Sequence, residues 1–162
     1  MSAGGTGPDS AAPAWVIVAL GSNLGDSTGN VRAAIERLRP LSAGPFLRSS
    51  VWRTTPVDCP PGSPWFINAV VAFRAFADES PESLHTRLSV MEREFGRRPK
   101  EVWNEARPLD LDLIAFGAES RSSPQLTLPH PRAHWRRFVL APLTEILPDY
   151  ALVGQTRTVS AL

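Results

Sequence analysis

Two aspartates separated by one leucine, Asp110-Leu111-Asp112, lie within the run Leu109 to Ile114. In an extended strand alternate side chains share a face. Both carboxylates then point one way, and Leu109, Leu111 and Leu113 point the other way, into a core. Same-face neighbours stand roughly 7 Å apart at the backbone, so their carboxylates can converge on two metal ions about 3.5–4 Å apart. Such oxygen donors suit Mg²⁺, which retains waters and accepts phosphate oxygens. A solvated polar strand face would show the same alternation. Two adjacent like charges repel, however, and Asp is a poor strand former, so the pattern favours a cation site.

The basic groups nearby are the second candidate feature. Arg97, Arg98 and Lys100 follow a helical stretch, Arg107 immediately precedes the aspartate run, and Arg136 and Arg137 follow His130. Gathered around the carboxylate face, they would bind polyphosphate and stabilise charge during phosphoryl transfer. Taken singly, each reads as a surface arginine balanced by Glu94, Glu101 or Glu105. His130 is open between a phosphate donor and a structural cap. With His134 it makes no zinc site, because Pro131 intervenes and no Cys or further His supplies a third ligand. Gly21-Ser22-Asn23-Leu24-Gly25-Asp26 lacks the Lys-Ser/Thr pair of a P-loop and the third glycine of a dinucleotide site. It reads as a tight turn and a helix cap. Trp52, Trp65, Phe66, Trp135 and Phe138 read as core aromatics; Trp103 stands apart in a polar, cationic loop.

These residues need elements to hold them. Trp15 to Leu20 is an unbroken β-branched and apolar run, the pattern of a buried central strand. Asp26 or Thr28 would cap a helix bearing Val31, Ala34, Ile35 and Leu38, ended by Pro40. Phe46 to Thr54 and Phe66 to Phe76 read as strands around a loop rich in Pro and Gly. Pro81 opens a helix with the stripe Leu84, Leu88, Met91 and Phe95, stopped by Gly96. Leu109 to Phe116 is a strand, Leu126 to Leu128 a short edge strand, and Pro142 begins a last helix over Leu143 to Leu147. The tail is expected to return as a strand. The order β-α-β-β-α-β predicts an α+β, ferredoxin-like antiparallel sheet with its helices on one face and a C-terminal extension.

The bulk composition narrows the classes further. A chain of 162 residues is read as one domain over 15–162 behind a disordered leader over 1–14. A net charge of +1 gives no reason to expect nucleic-acid or membrane binding. The cations are sixteen Arg against the single Lys100, a bias that genomic base composition explains more readily than phosphate recognition does. The lone Cys59 makes no internal disulfide and fits a reducing cytoplasm.

Five blocks in order resemble the 6-hydroxymethyl-7,8-dihydropterin pyrophosphokinase family of folate biosynthesis. They are Ala19 to Gly25, Arg53-Thr54-Thr55-Pro56, Phe66 to Val70, Arg107 to Leu113, and Leu126 to Pro131 leading to Arg136-Arg137-Phe138-Val139-Leu140. The resemblance implies a similar fold and transfer of pyrophosphate from ATP to the hydroxymethyl group of the pterin, releasing AMP. It further implies that Asp110 and Asp112 hold two Mg²⁺ ions, and that Arg97 and Arg107 stabilise the transition state. Glu92, His130 and Arg136 match residues that contact ATP. Phe66 and Phe138 match an aromatic pair enclosing the pterin ring, Asn68 the amide that reads its polar edge, and the Thr54-Thr55-Pro56-Val57 backbone lines the pocket. Trp103 matches a lid contact. The Arg that precedes this Trp in many relatives is absent here, and Arg98 or Lys100 would substitute for it.

The expected partners are thus ATP and 6-hydroxymethyl-7,8-dihydropterin, with no nucleic acid or membrane, and the chain is expected to be a monomer. Two other readings use the same residues. A metal-dependent nucleotide hydrolase would consume ATP without any pterin. A ferredoxin-like RNA-binding module would want a basic sheet face with exposed aromatics, which the Asp110/Asp112 face opposes.

Overall fold

The computed structural model describes residues 14–55, 61–62, 64–96, 106–131, 137–151 and 158, without the side chains of 137 and 138. The expected leader and tail strand fall almost wholly outside these residues.

Strand β1 (Val16–Ser22) is buried at all seven positions. It lies at the centre of an antiparallel sheet, paired with β4 (Phe66–Phe73) on one side and β5 (Asp110–Phe116) on the other. The outer edge of β4 carries two short strands, β2 (Phe46–Arg48) and β3 (Trp52–Thr54). The single strand expected over Phe46 to Thr54 is therefore broken. Arg48 faces Val71 and Trp52 faces Asn68, so three residues, 49–51, oppose two, 69 and 70. That is a bulge. Ser49, 1% exposed, fills it: its N–H donates to the Val70 carbonyl at 2.9 Å, and its Oγ accepts the Val70 N–H at 2.9 Å. A serine hydroxyl thus stands in for a ladder carbonyl.

Helix α1 (Ser27–Leu38) is capped by Asp26, whose Oδ1 accepts from the Gly29 N–H at 3.1 Å. Pro40 does not stop the chain sharply but sits in a 3-10 turn, Arg39–Leu41, continuing the helix. Helix α2 (Pro81–Glu94) opens with Ser80 and Ser83 capping each other reciprocally at 3.0 and 2.9 Å. It closes at Gly96, whose φ of +98° is ordinary only for glycine. Val31, Ala34, Ile35 and Leu38 from α1 and Leu84, Leu88 and Met91 from α2 bury Val16, Val18, Leu20, Leu111 and Leu113 on one sheet face.

Helix α3 (Arg137–Ile146) packs on the opposite face, where Val139, Leu140 and Leu143 meet Ile17, Ala19, Val70, Ala72, Ile114 and Ala115. One expectation is met and one is corrected. Helices α1 and α2 share one sheet face, as expected, and the last helix, in the expected C-terminal extension, covers the other: β1 is apolar at every position from Val16 to Leu20 rather than at alternate ones, and such a strand is covered on both sides. The last helix does not begin at Pro142 but runs through it. An interior proline forfeits one helix hydrogen bond, and the burial of Leu140 and Leu143 on the sheet offsets that loss.

The strand limits also differ. The third predicted strand stops at Phe73, leaving Phe76 47% exposed, and the aspartate strand starts at Asp110. Thr127–Leu128 (β7) pairs with a strand not expected from the sequence, Arg121–Ser122 (β6), in a small hairpin of its own. Arg121 fastens that hairpin to α2 through Glu82 at 2.5 Å. The result is a mixed α and β fold with an antiparallel sheet and three helices. No helix among the described residues is long and apolar enough to cross a membrane.

Candidate active site

Among the described residues, the sheet face that α3 packs on is covered at one end only. Ladder pairing places Asn68, Gly21 and Asp110 in one row across β4, β1 and β5, with Val70, Ala19 and Asp112 in the next. The apolar residues that meet α3 occupy the second row and the rows beyond it, so the Asn68–Gly21–Asp110 row lies past the helix contacts. The two carboxylates stand on this face because Leu109, Leu111 and Leu113 are drawn into the other, at 6% exposure or less. Asn68 and Asp110 sit two strands apart, roughly 10 Å at the backbone.

Around Asn68 the geometry is tight. Thr54, opposite Phe66 on β3, donates its hydroxyl to Asn68 Oδ1 at 2.7 Å. Gly21 lies beneath this pair: a Cβ there would stand 3.1 Å from Asn68 Nδ2 and 3.7 Å from Phe66 Cδ1. Phe66 and Asn68 are two residues apart on one strand and so share its face. The Phe66 ring edge, the Asn68 amide and the side-chain-free Gly21 backbone thus pack against one another, with Asn68 only 5% exposed.

Around the aspartates, Arg107 Nη1 lies 3.5 Å from Asp110 Oδ1, with the arginine side chain 14% exposed. Arg107 Nε is buried without a hydrogen-bond partner among the described residues. Asn23 fixes the Arg107 backbone from both sides, its Oδ1 accepting the Arg107 N–H at 2.9 Å and its own N–H donating to the Arg107 carbonyl at 3.1 Å. On the outer edge of β5, Glu92 Oε2 accepts the Leu111 N–H at 2.7 Å, which joins α2 to the peptide between the two aspartates. The His130 N–H donates to the Ile114 carbonyl at 2.9 Å. His130 also lines a cavity of about 260 Å³ with Asp112, His85, Thr127 and Gln125.

The donor set bears on which metal would fit. Among the described residues no group of three His, Cys, Asp or Glu side chains converges. Two carboxylates with open positions suit Mg²⁺ shared with substrate phosphates, whereas a structural zinc needs a closed set of four. Asp110 and Asp112 therefore fit the Mg²⁺ reading.

The structure thus gathers Thr54, Phe66, Asn68, Arg107, Asp110 and Asp112 on or beside one open sheet end, with Glu92 and His130 along the neighbouring edge. Thr55 follows β3 and is exposed. Val57, Arg97, Arg98, Lys100, Trp103 and Arg136 lie outside the described residues, as does the side chain of Phe138. The Gly21–Asp26 segment, expected as a tight turn and a helix cap, also sets Gly21 against Asn68 and Asn23 onto the Arg107 backbone. An asparagine one residue past a buried strand, in a Gly-rich turn, was the available signal.

Residues 17–148 match the family model described as 7,8-dihydro-6-hydroxymethylpterin-pyrophosphokinase (HPPK). The chain belongs to this family. A 2-amino-4-hydroxy-6-hydroxymethyldihydropteridine pyrophosphokinase of Synechocystis is 38% identical over 146 residues, spanning 90% of this chain and 73% of the relative. One of Haemophilus influenzae is 36% identical over 136 residues, covering 83% and 82%. A solved HPPK-DHPS of Plasmodium falciparum superposes with a TM-score of 0.64 at 12% identity, a likeness of fold. It covers 91% of this chain, which spans only 43% of that longer protein.

Proposed function

We propose that this chain transfers pyrophosphate from ATP to the hydroxymethyl oxygen of 6-hydroxymethyl-7,8-dihydropterin. The new bond joins that oxygen to the β-phosphorus, the bond from the β-phosphorus to the α-phosphate oxygen breaks, AMP leaves, and the hydroxyl proton passes to solvent. The observation that carries the reading is the row Asn68–Gly21–Asp110. It puts the residues read as pterin-binding in the same region of the sheet as the carboxylate pair, roughly 10 Å apart at the backbone, which supports one substrate bridging them.

In this reading Phe66 packs against the pterin ring while Asn68, oriented by Thr54, reads its polar edge. Phe138 would close the other ring face, and the Thr54 to Val57 backbone would line the pterin pocket. Asp110 and Asp112 would hold two Mg²⁺ ions, which when bound neutralise phosphate charge and acidify the attacking hydroxyl. Arg107 has a buried Nε without an acceptor among the described residues, so a phosphate oxygen would satisfy it and receive charge stabilisation in return. Arg97 is assigned the same role, and Glu92, Arg98, Lys100, His130 and Arg136 the binding of ATP. Trp103 would cover the pterin.

Among the described residues no side chain stands out as a general base, so positioning and charge stabilisation carry the rate. We also read the strand order β2/β3–β4–β1–β5, all antiparallel, as the ferredoxin-like arrangement, with α3 as the extension. The test is AMP formation from Mg·ATP with and without the pterin. Release that requires the pterin supports the reading; equal ATP consumption without it points to a nucleotide hydrolase instead.

A further inference from the structure

Asn23 is 1% exposed and lies just past the end of β1, yet its hydrogen bonds reach two distant segments. Its backbone N–H and side-chain Oδ1 take both backbone groups of Arg107, at 3.1 and 2.9 Å. Its side-chain Nδ2 donates to the Pro64 carbonyl at 3.4 Å, two residues before Phe66. A second amide, Asn30 in the first turn of α1, reinforces the first contact. Asn30 Nδ2 bonds the Pro108 carbonyl at 3.1 Å and the Leu24 carbonyl at 3.3 Å. The chain from Arg107 to Pro108 is thus held by the β1–α1 turn rather than by the sheet ladder, which starts only at Asp110.

A buried amide that satisfies acceptors and donors on two separate segments costs little to bury and fixes their relative placement. The segments here are the one that aims Arg107 at Asp110 and the one that leads into the strand carrying Phe66 and Asn68. Alanine at position 23 would leave the Arg107 N–H and the Pro64 carbonyl without their side-chain partner.

We propose that Asn23 is a positioning residue for the transfer reaction: it sets the Arg107 guanidinium against Asp110 and locks that setting to the pterin side of the site through Pro64. The proposal rests on the pyrophosphate-transfer reading above. Asn23 touches neither substrate and acts through Arg107, so its removal should cost turnover only while Arg107 is present.

The experiment is a double-mutant cycle on the full chain, measuring kcat and pterin KM for wild type, Asn23→Ala, Arg107→Ala and the double variant, with Tm recorded for each. Asn23→Ala should lower kcat about 10- to 100-fold in the wild-type background and less than about threefold when Arg107 is already alanine. Asn23→Asp, which keeps an acceptor for the Arg107 N–H and loses the donor to Pro64, serves if the alanine variant does not fold. It should raise pterin KM while holding kcat within about threefold of wild type. Equal kcat losses in both backgrounds, an unchanged kcat in Asn23→Ala, or an Asp variant as slow as Arg107→Ala overturns the inference. Those results require an active wild type. A wild type that releases no pterin-dependent AMP overturns the reaction itself, and the inference with it.

Discussion

Gly21 and Asn68 face each other across the β1–β4 ladder so closely that a Cβ on residue 21 would stand 3.1 Å from Asn68 Nδ2. A methyl group there is tighter than ordinary contact, so the Asn68 amide would have to give by a few tenths of an ångström, away from its present place beside Phe66. Gly21→Ala is expected to raise pterin KM about tenfold and leave ATP KM unchanged, because the amide moves while the carboxylates do not. Steady-state kinetics against each substrate in turn check this; equal effects on both would show that the whole site had shifted.

Thr54→Val keeps the shape of the side chain and removes the hydroxyl that orients Asn68 at 2.7 Å. Losing one oriented hydrogen bond costs about 1 kcal/mol, or roughly a fivefold weaker pterin affinity. Calorimetric titration with the pterin and a non-hydrolysable ATP analogue measures it. Affinity within experimental scatter of wild type would mean that Thr54 does not set the amide.

Asp110→Ala and Asp112→Ala should each reduce turnover by at least about 10³-fold while the fold stays intact, since both side chains are only partly buried on an open face. Arg107→Ala should reduce kcat more than it raises pterin KM. Circular dichroism and steady-state kinetics together check these expectations. A double aspartate variant with wild-type activity would remove the metal assignment.

Much of this was legible in the sequence. The alternation Leu109-Asp110-Leu111-Asp112-Leu113 fixes which way the carboxylates point, because a period of two leaves no other arrangement once the leucines are buried. The unbroken apolar run of β1 equally required a second covering layer. The last helix was legible but not its start: Pro142 reads locally as a helix start and is overruled by burial of Leu140 and Leu143, which carries α3 back to Arg137. The bulge at Ser49 was hidden for a similar reason. Its cause is one hydroxyl replacing a carbonyl against Val70, a contact between segments that no local pattern records. Asn23 escaped notice because its partners, Pro64 and Arg107, are 41 and 84 residues away.

Glu145 on α3 gathers the Ser50 N–H at 2.9 Å, the Ser50 hydroxyl at 2.8 Å and the Trp52 indole N–H at 3.1 Å, tying the helix to the bulged edge of the sheet. Burial pushes its carboxyl up, but the bonds from Ser50 and Trp52 outweigh this and hold it below the ordinary value of 4.5. A depressed folded value makes the contribution fully present above that ordinary value and lost as pH falls through the lower one. Glu145→Gln should therefore lower Tm at pH 7, with the difference from wild type shrinking below about pH 4. The carboxylate is exposed, so the loss should be about 1 kcal/mol. A Tm difference that does not change with pH would show that the helix is not held by the charged form.

If the chain delivers the β- and γ-phosphates of ATP together to the pterin, ATP labelled at its β-phosphate will show it. The label should appear in the pterin product, one for each AMP released, and only when Mg²⁺ and the pterin are both present. Label retained in ADP, or released as free pyrophosphate with the pterin unmodified, would rule out this transfer.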